Sequence, residues 1–159
     1  MTMIPHSKPF LGQDDIRAAT EVLRSGLIAG GPVVGQFERG LAAYLGVQGG
    51  VAVSSGTVAL ELALRAMGVG HGDNVILPSY VCPAPWLAVQ RVGAQARIVD
   101  IDPVTYNLDP HKVRKARTSR TRAVIVPHLF GLPADLTMLE SLGIPLIEDC
   151  AQTLGAMEQ

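Results

Sequence analysis

Apolar residues fall at helical spacing over residues 13–24, where Ile16, Ala19, Val22 and Leu23 gather on one side and charges lie opposite. This pattern predicts an amphipathic helix, which the glycine-rich stretch at residues 25–32 breaks as a loop. Phe37, Leu41, Tyr44 and Leu45 recur at i, i+4, i+7 and i+8, predicting a second helix that stops at Gly46. From there the pattern alternates. A short apolar run at residues 50–53 reads as a strand, and Ser54, Ser55, Gly56 and Thr57 lead directly into a helix former at residues 58–67. Residues 68–73 are a loop, 75–77 a strand, 85–92 a helix and 96–99 a strand. Residues 109–117 read as a helix with Asp109 as N-cap and Pro110 at the first position, where a missing N–H costs nothing. A strand at 123–126, a helix at 135–142 and a strand at 144–147 ending in Glu148 and Asp149 follow.

Strands that are apolar throughout, separated by helices, are buried on both faces. The fold class is therefore α/β, a mostly parallel sheet flanked by helices. No internal repeat, linker or second domain is visible in the sequence. The chain is 48% hydrophobic and 17% charged, with mean hydropathy +0.28, which excludes disorder. Thirteen basic and fourteen acidic residues leave a net charge of −1, so no global field draws the chain to nucleic acid or anionic lipid. A membrane-spanning helix is excluded over residues 74–90 by Pro78, Pro83 and Pro85, and the opening MTMIPHSKPF has no signal-peptide core. Cys82 and Cys150 make neither a disulfide framework nor a metal set. These features predict a soluble, cytoplasmic protein. Its few charges predict apolar surface meant for another chain or for more of this one.

Ligands of open α/β sheets bind beyond the carboxyl ends of the strands, and two segments are expected there. At Ser54 to Thr57, unpaired N–H groups at a helix start would favour an anion, Gly56 would admit a phosphate close to the backbone, and Thr57 could add a hydroxyl. Simple capping of the helix by Ser55 or Thr57 uses the same geometry. At Glu148 and Asp149, adjacent side chains on a strand point to opposite faces, so only one acid can face a given ligand. A buried Asp there would favour a cation such as a protonated ring nitrogen, and an exposed acid pair is the plainer alternative. The glycines at residues 68–72 read as a turn, because they join a helix to a strand. The basic run Lys112, Arg114, Lys115, Arg117, Arg120 and Arg122 reads as a solvated face, His128 as a core or supporting histidine, and Cys82 as a small buried hydrophobe.

Seven motifs then carry a resemblance along the whole chain: IPHSKPFLG, SGLIAGGPVVGQFE, SSGTVALELAL, GVGHGDNVILPSY, VDIDPVTYNLD, VPHLFGLPADL and IEDCAQTLGA. In order and at sensible spacing, they resemble the DegT/DnrJ/EryC1/StrS sugar aminotransferase family, pyridoxal-phosphate enzymes of the aspartate-aminotransferase fold type I. The resemblance implies that residues 1–159 are the amino-terminal part of a PLP-binding large domain, with the rest of that domain and a small C-terminal domain absent. It implies a transfer of an amino group from an amino acid, glutamate, to a keto-sugar carried on a nucleotide. By the same resemblance, Gly56 and Thr57 bind the cofactor phosphate with Ser55 as neighbour, Asp149 pairs with the pyridine nitrogen, and Gln152 approaches the ring. Family enzymes are dimers with the active site at the interface, which implies a homo-oligomer to which the loop at residues 25–32 contributes.

Two departures from the family pattern matter. Four residues after Pro78, many relatives place an aromatic that stacks on the cofactor; here that position is Cys82, leaving stacking to Tyr80 or Trp86. Relatives are also more than twice as long, and their Schiff-base lysine lies beyond the Glu-Asp segment. None of Lys8, Lys112 and Lys115 matches it, so no catalytic residue is assigned and the lysine is expected from elsewhere, including a complementary C-terminal chain. A non-catalytic remnant that self-associates, and a PLP-dependent sugar dehydratase of the same family, are the alternative readings.

Overall fold

The computed structural model describes residues 8–157, so Ile4 to Ser7 of the first motif lie outside the described residues. The chain divides into two compact units, residues 1–52 and 53–159.

In the first unit, α1 (Gln13–Ser25) begins where the Asp15 carboxylate accepts the Gly12 N–H at 2.7 Å, satisfying one donor of the first turn. The second helix, α2 (Pro32–Leu45), starts at the first residue after Gly31, earlier than the apolar spacing alone predicts. Proline at that position is already set to a helical φ, and Gly31, at φ 147°, adopts a backbone closed to other residues. Ala42 is the one buried residue of these two helices, while Ile16, Leu23, Phe37 and Tyr44 stay exposed. The apolar surface expected from the low charge is therefore present in this unit.

The second unit is built on a four-stranded parallel sheet in the order β2-β1-β3-β4. Its elements are α3 (Gly56–Ala66), β1 (Asn74–Pro78), α4 (Ala84–Arg91), β2 (Gln95–Val99), α5 (Pro110–Ala116), β3 (Thr121–Pro127), α6 (Leu136–Glu140) and β4 (Leu146–Asp149). The pleat sends successive side chains to opposite faces, and both faces are covered. Val75, Leu77, Ala123 and Ile125 join Leu60 and Leu64 of α3 and Val89 of α4 in one core. Ile76, Val124 and Val126 join Val113 of α5 and Leu139 of α6 in the other. Burial on both sides explains why β1 and β3 read as unbroken apolar runs. The parallel α/β sheet is the one the sequence predicts.

Three further departures stand out. Residues 50–53 form no strand: the Ala52 N–H donates to Glu38 Oε1 at 2.8 Å and Val51 is 81% exposed. An apolar run becomes a strand only against a partner ladder, and none meets it among the described residues. The last strand begins at Leu146 rather than at residue 144, because Pro145 has no N–H to give and contributes only its carbonyl, accepting the Val124 N–H at 3.0 Å. Helix α6 is shorter than residues 135–142. Asp135 serves as its cap, and the Ser141 hydroxyl donates to the Met138 carbonyl at 2.7 Å as the helix ends. Among the described residues, no helix is long and apolar enough to cross a membrane.

Candidate functional site

The start of α3 serves capping and leaves donors over. Ser55 is extended, and its Oγ accepts the Val58 N–H at 3.3 Å, so the capping reading holds for that residue. The N–H groups of Gly56 and Thr57 have no acceptor among the described residues. A Cβ on Gly56 would meet nothing within 4 Å, so a ligand can approach this backbone closely. With the helix dipole behind them, these two donors suit an anion.

At the end of β4 the two acids separate as strand geometry requires. Glu148 turns to His128, whose Nε2 lies 3.1 Å from the Glu148 carboxylate and whose ring is 4% exposed. The other ring nitrogen, Nδ1, accepts the Ala134 N–H at 2.9 Å. A nitrogen that accepts cannot carry the proton, so neutral His128 bears it on Nε2 and donates it to Glu148. This fixes His128 as a buried supporting residue. It also bears on the one group of metal-ligand type among the described residues, His128, Glu148 and Cys150, whose ligating atoms lie within 4.8 Å of one another. A metal would need the Nε2 lone pair, leaving Nδ1 protonated against the Ala134 N–H, whereas ligating histidines give that second proton to an acceptor.

Asp149 has a different task. Its Oδ1 accepts the Ala151 N–H at 3.1 Å, and its second oxygen has no partner among the described residues. The Asp149 carbonyl accepts the His128 N–H at 3.2 Å, tying the turn after β4 to the end of β3. Gln152 is set by the same neighbour: its Oε1 accepts the Phe130 N–H at 2.9 Å, which leaves the amide nitrogen and its two donors. Two amides without acceptors, a carboxylate oxygen without a partner among the described residues and an oriented side-chain amide thus occupy one unit.

Other expected residues fall differently. Cys82 is exposed, not buried, because it lies in the turn between β1 and α4, beyond the carboxyl end of the strand. Tyr80 is 50% exposed and packs with Tyr106 and Phe130, and Trp86 lies half exposed on α4. Burial raises the Cys150 thiol above its ordinary pKa, and the charges of Glu148 and Asp149 raise it further. The nearby Thr153 hydroxyl acts the other way, although its alignment makes no hydrogen bond and leaves its oxygen without a partner. Lys112 donates to the Ile101 carbonyl at 3.1 Å and lies 3.6 Å from Asp109, and Lys115 is exposed on α5. Arg114, Arg117, Arg120 and Arg122 are exposed, as a solvated basic face requires.

One residue of the site carried no role in the sequence reading. Asn107, 3% exposed, accepts the Leu129 N–H at 3.0 Å and donates to the Leu132 and Pro133 carbonyls at 3.0 and 3.3 Å. It clamps the loop that carries Phe130 and so supports Gln152. A buried asparagine at a turn was the only available signal, since its partners lie 22 to 26 residues away.

Fold and site together define an α/β protein with two free amide donors at the start of α3 and a free carboxylate oxygen at the end of β4 among the described residues. Residues 9–159 match the DegT/DnrJ/EryC1/StrS aminotransferase family, and the chain belongs to it. It is 46% identical over 150 residues to the erythromycin biosynthesis sensory transduction protein EryC1 of Saccharopolyspora erythraea, covering 92% of this chain and 41% of that one. It is 43% identical to dTDP-3-amino-3,4,6-trideoxy-alpha-D-glucose transaminase of Streptomyces venezuelae, covering 93% of this chain and 42% of the relative. The PLP form of Spr1654 from Streptococcus pneumoniae superposes with a TM-score of 0.89 at 31% identity, over 96% of this chain and 44% of that one. The chain thus spans about two fifths of the length of these relatives.

Proposed function

We propose that residues 1–159 are the amino-terminal part of the PLP-binding large domain of a nucleotide-sugar aminotransferase. Pyridoxal 5'-phosphate would sit with its phosphate on the Gly56 and Thr57 amides beside Ser55, and its ring nitrogen at Asp149. Gln152 and Cys82 would flank the ring. The observation that carries the reading is the coexistence, in one unit, of unspent amides at the α3 start and an unspent Asp149 oxygen at the end of β4. The residues fit the cofactor: two donors for its phosphate, an anion for its pyridinium.

When bound, the cofactor supplies an electron sink for amino-group chemistry. The chain's own part is to bind and to bias. Asp149 holds a proton on the ring nitrogen by its negative charge, and Phe130 fixes Gln152 so that its amide nitrogen is the end left to donate. The reaction would move an amino group from an amino acid, glutamate, to a keto group of a nucleotide-linked sugar. The Schiff-base lysine would come from sequence outside these 159 residues, since Lys112 is spent on Ile101 and Asp109. A homo-oligomer in the cytoplasm fits the exposed apolar residues of α1 and α2. The occupied Lys112 equally suits a non-catalytic fragment that binds the cofactor without turnover.

Pyridoxamine 5'-phosphate needs no lysine, so its intrinsic fluorescence tests the binding half directly. Asp149→Asn removes a charge-assisted hydrogen bond and should weaken affinity by about 1.5–3 kcal/mol. Equal affinity in the variant would sink the assignment of Asp149 to the ring. Borohydride reduction after incubation with pyridoxal phosphate should leave Lys8, Lys112 and Lys115 without a stoichiometric adduct; one adduct would overturn the need for an outside lysine.

A further inference from the structure

We propose that Tyr80, Tyr106 and Phe130 form a stacking subsite for the planar base of a nucleotide, a proposal that rests on the nucleotide-sugar reading above. The three rings come from three different loops, those following β1, β2 and β3, and meet at the edge of the sheet where Asp149 and Gln152 lie. Their centroids are 5.9, 6.3 and 6.1 Å apart, and the three residues are 50%, 47% and 66% exposed. Phe130 is joined directly to the cofactor residues, because its N–H holds Gln152.

Backbone strain singles out two of the three. Tyr106 at φ 62° and Phe130 at φ 57° are the only non-glycine residues with positive φ among the described residues. Bulky side chains avoid this region, and such strain collects at ligand clamps and active sites. Each is forced by a separate device. Asp102 Oδ1 accepts the Val104 and Thr105 N–H groups at 2.8 Å, and the Asp102 carbonyl accepts the Tyr106 N–H at 2.9 Å, winding the turn that holds Tyr106. Asn107 clamps the loop that holds Phe130. Strain that pushed a ring into the core would be repaid by burial. Here the two rings stay exposed among the described residues and pack on each other and on Tyr80.

The size of the cluster selects the kind of ligand. Side chains of ~150–250 Å² each, about half exposed, offer roughly 300 Å² together, well short of the ~800 Å² per partner of a stable protein interface. One flat ring system is the right scale. Tyr106 and Phe130 stand at 87°, so a planar ring laid on the face of one meets the other edge-on, which is the arrangement aromatic quadrupoles favour. Stacking tolerates any base, and the two tyrosine hydroxyls can bond its edge.

The test uses the full chain with dTDP as the nucleotide probe and pyridoxamine 5'-phosphate as the cofactor probe, both followed by calorimetry. Tyr106→Gly is the informative variant, because glycine accepts a positive φ and Tyr106 holds none of the cofactor residues. The variant should keep or raise its melting temperature, retain cofactor affinity, and bind dTDP ~5- to 150-fold more weakly. Phe130→Gly should weaken dTDP by the same factor. Unchanged dTDP affinity in both variants would overturn the proposal, as would failure of the wild-type chain to bind dTDP while binding the cofactor. A sugar 1-phosphate that competes as well as dTDP would assign the rings to the sugar and overturn the base. Ring-dependent dTDP binding without cofactor binding would sink the cofactor reading and leave the subsite standing.

Discussion

Replacing Asn107 by alanine should open the loop between β3 and α6 without touching any residue assigned to a ligand. Three hydrogen bonds go at once: the one accepted from Leu129 and the two given to Leu132 and Pro133. Their costs are unequal. Leu129 is buried, so its N–H would be stranded without water at about 1–3 kcal/mol. Leu132 is exposed and Pro133 half-buried, so their carbonyls regain water and cost about 0.5–1 kcal/mol between them. The sum is about 1.5–4 kcal/mol, which corresponds to a loss of protection of roughly 10- to 700-fold when every 1.4 kcal/mol is tenfold. Amide hydrogen exchange reads this residue by residue, and the loss should centre on Leu129 and Phe130 while the β1 amides keep their protection. Asn107→Asp should fare no better. It retains the acceptor for Leu129 but turns an oxygen on the Leu132 and Pro133 carbonyls. A change below about 1 kcal/mol at Leu129 would refute the clamp.

Two further outcomes follow from the titrating groups. Asp102 is held below the ordinary aspartate value, first by the Thr105 N–H, then by the Val104 N–H, with the Thr105 hydroxyl and Lys112 adding to it. A depressed folded value means that its stabilising contribution is full above the unfolded value and lost as pH falls through the folded one. The Val104 and Thr105 amide resonances should therefore titrate below the ordinary aspartate range and lose this step in Asp102→Asn; a midpoint at or above that range would count against the turn. Cys150, whose thiol is raised by burial and then by its acidic neighbours, should react with iodoacetamide at neutral pH more slowly than exposed Cys82. Peptide mapping that finds Cys150 modified first would contradict that order.

The sheet was legible because its residues obey local rules. Val75 to Leu77 and Ala123 to Val126 are apolar on both faces, and Asp109 and Pro110 announce α5. The Ser55 cap was legible for the same reason, since it acts within one turn of α3. What escaped depends on distance along the chain. Residues 50–53 look like a strand until one asks which strand they pair with, a question composition does not answer. The exposure of Cys82 follows from where its turn leaves the sheet rather than from its apolar character. The aromatic cluster and the Asn107 clamp each join residues more than twenty positions apart, and positive φ at Tyr106 and Phe130 has no signature in residues that normally avoid it.

The two neighbouring acids of β4 show how one short strand organises the whole edge. The pleat sends Glu148 to one face, where it fixes the tautomer of His128, and through Nδ1 that ring holds Ala134 at the far end of the loop. Asp149 faces the other way and keeps one oxygen without a partner among the described residues, while its carbonyl takes the His128 N–H. Three residues further on, Gln152 takes the Phe130 N–H from the same loop. Asn107 grips that loop from the side of β2 and α5. The loop at residues 128–134 is therefore fixed from both flanks, and three of its anchors belong to the segment that supplies Asp149. A change at His128 or Glu148 should reach Gln152 through the loop backbone without reaching the amides of Gly56 and Thr57, which depend on α3 alone. The ring end and the phosphate end of the candidate site rest on separate supports, so damage to one can be told apart from damage to the other by which ligand group loses its grip.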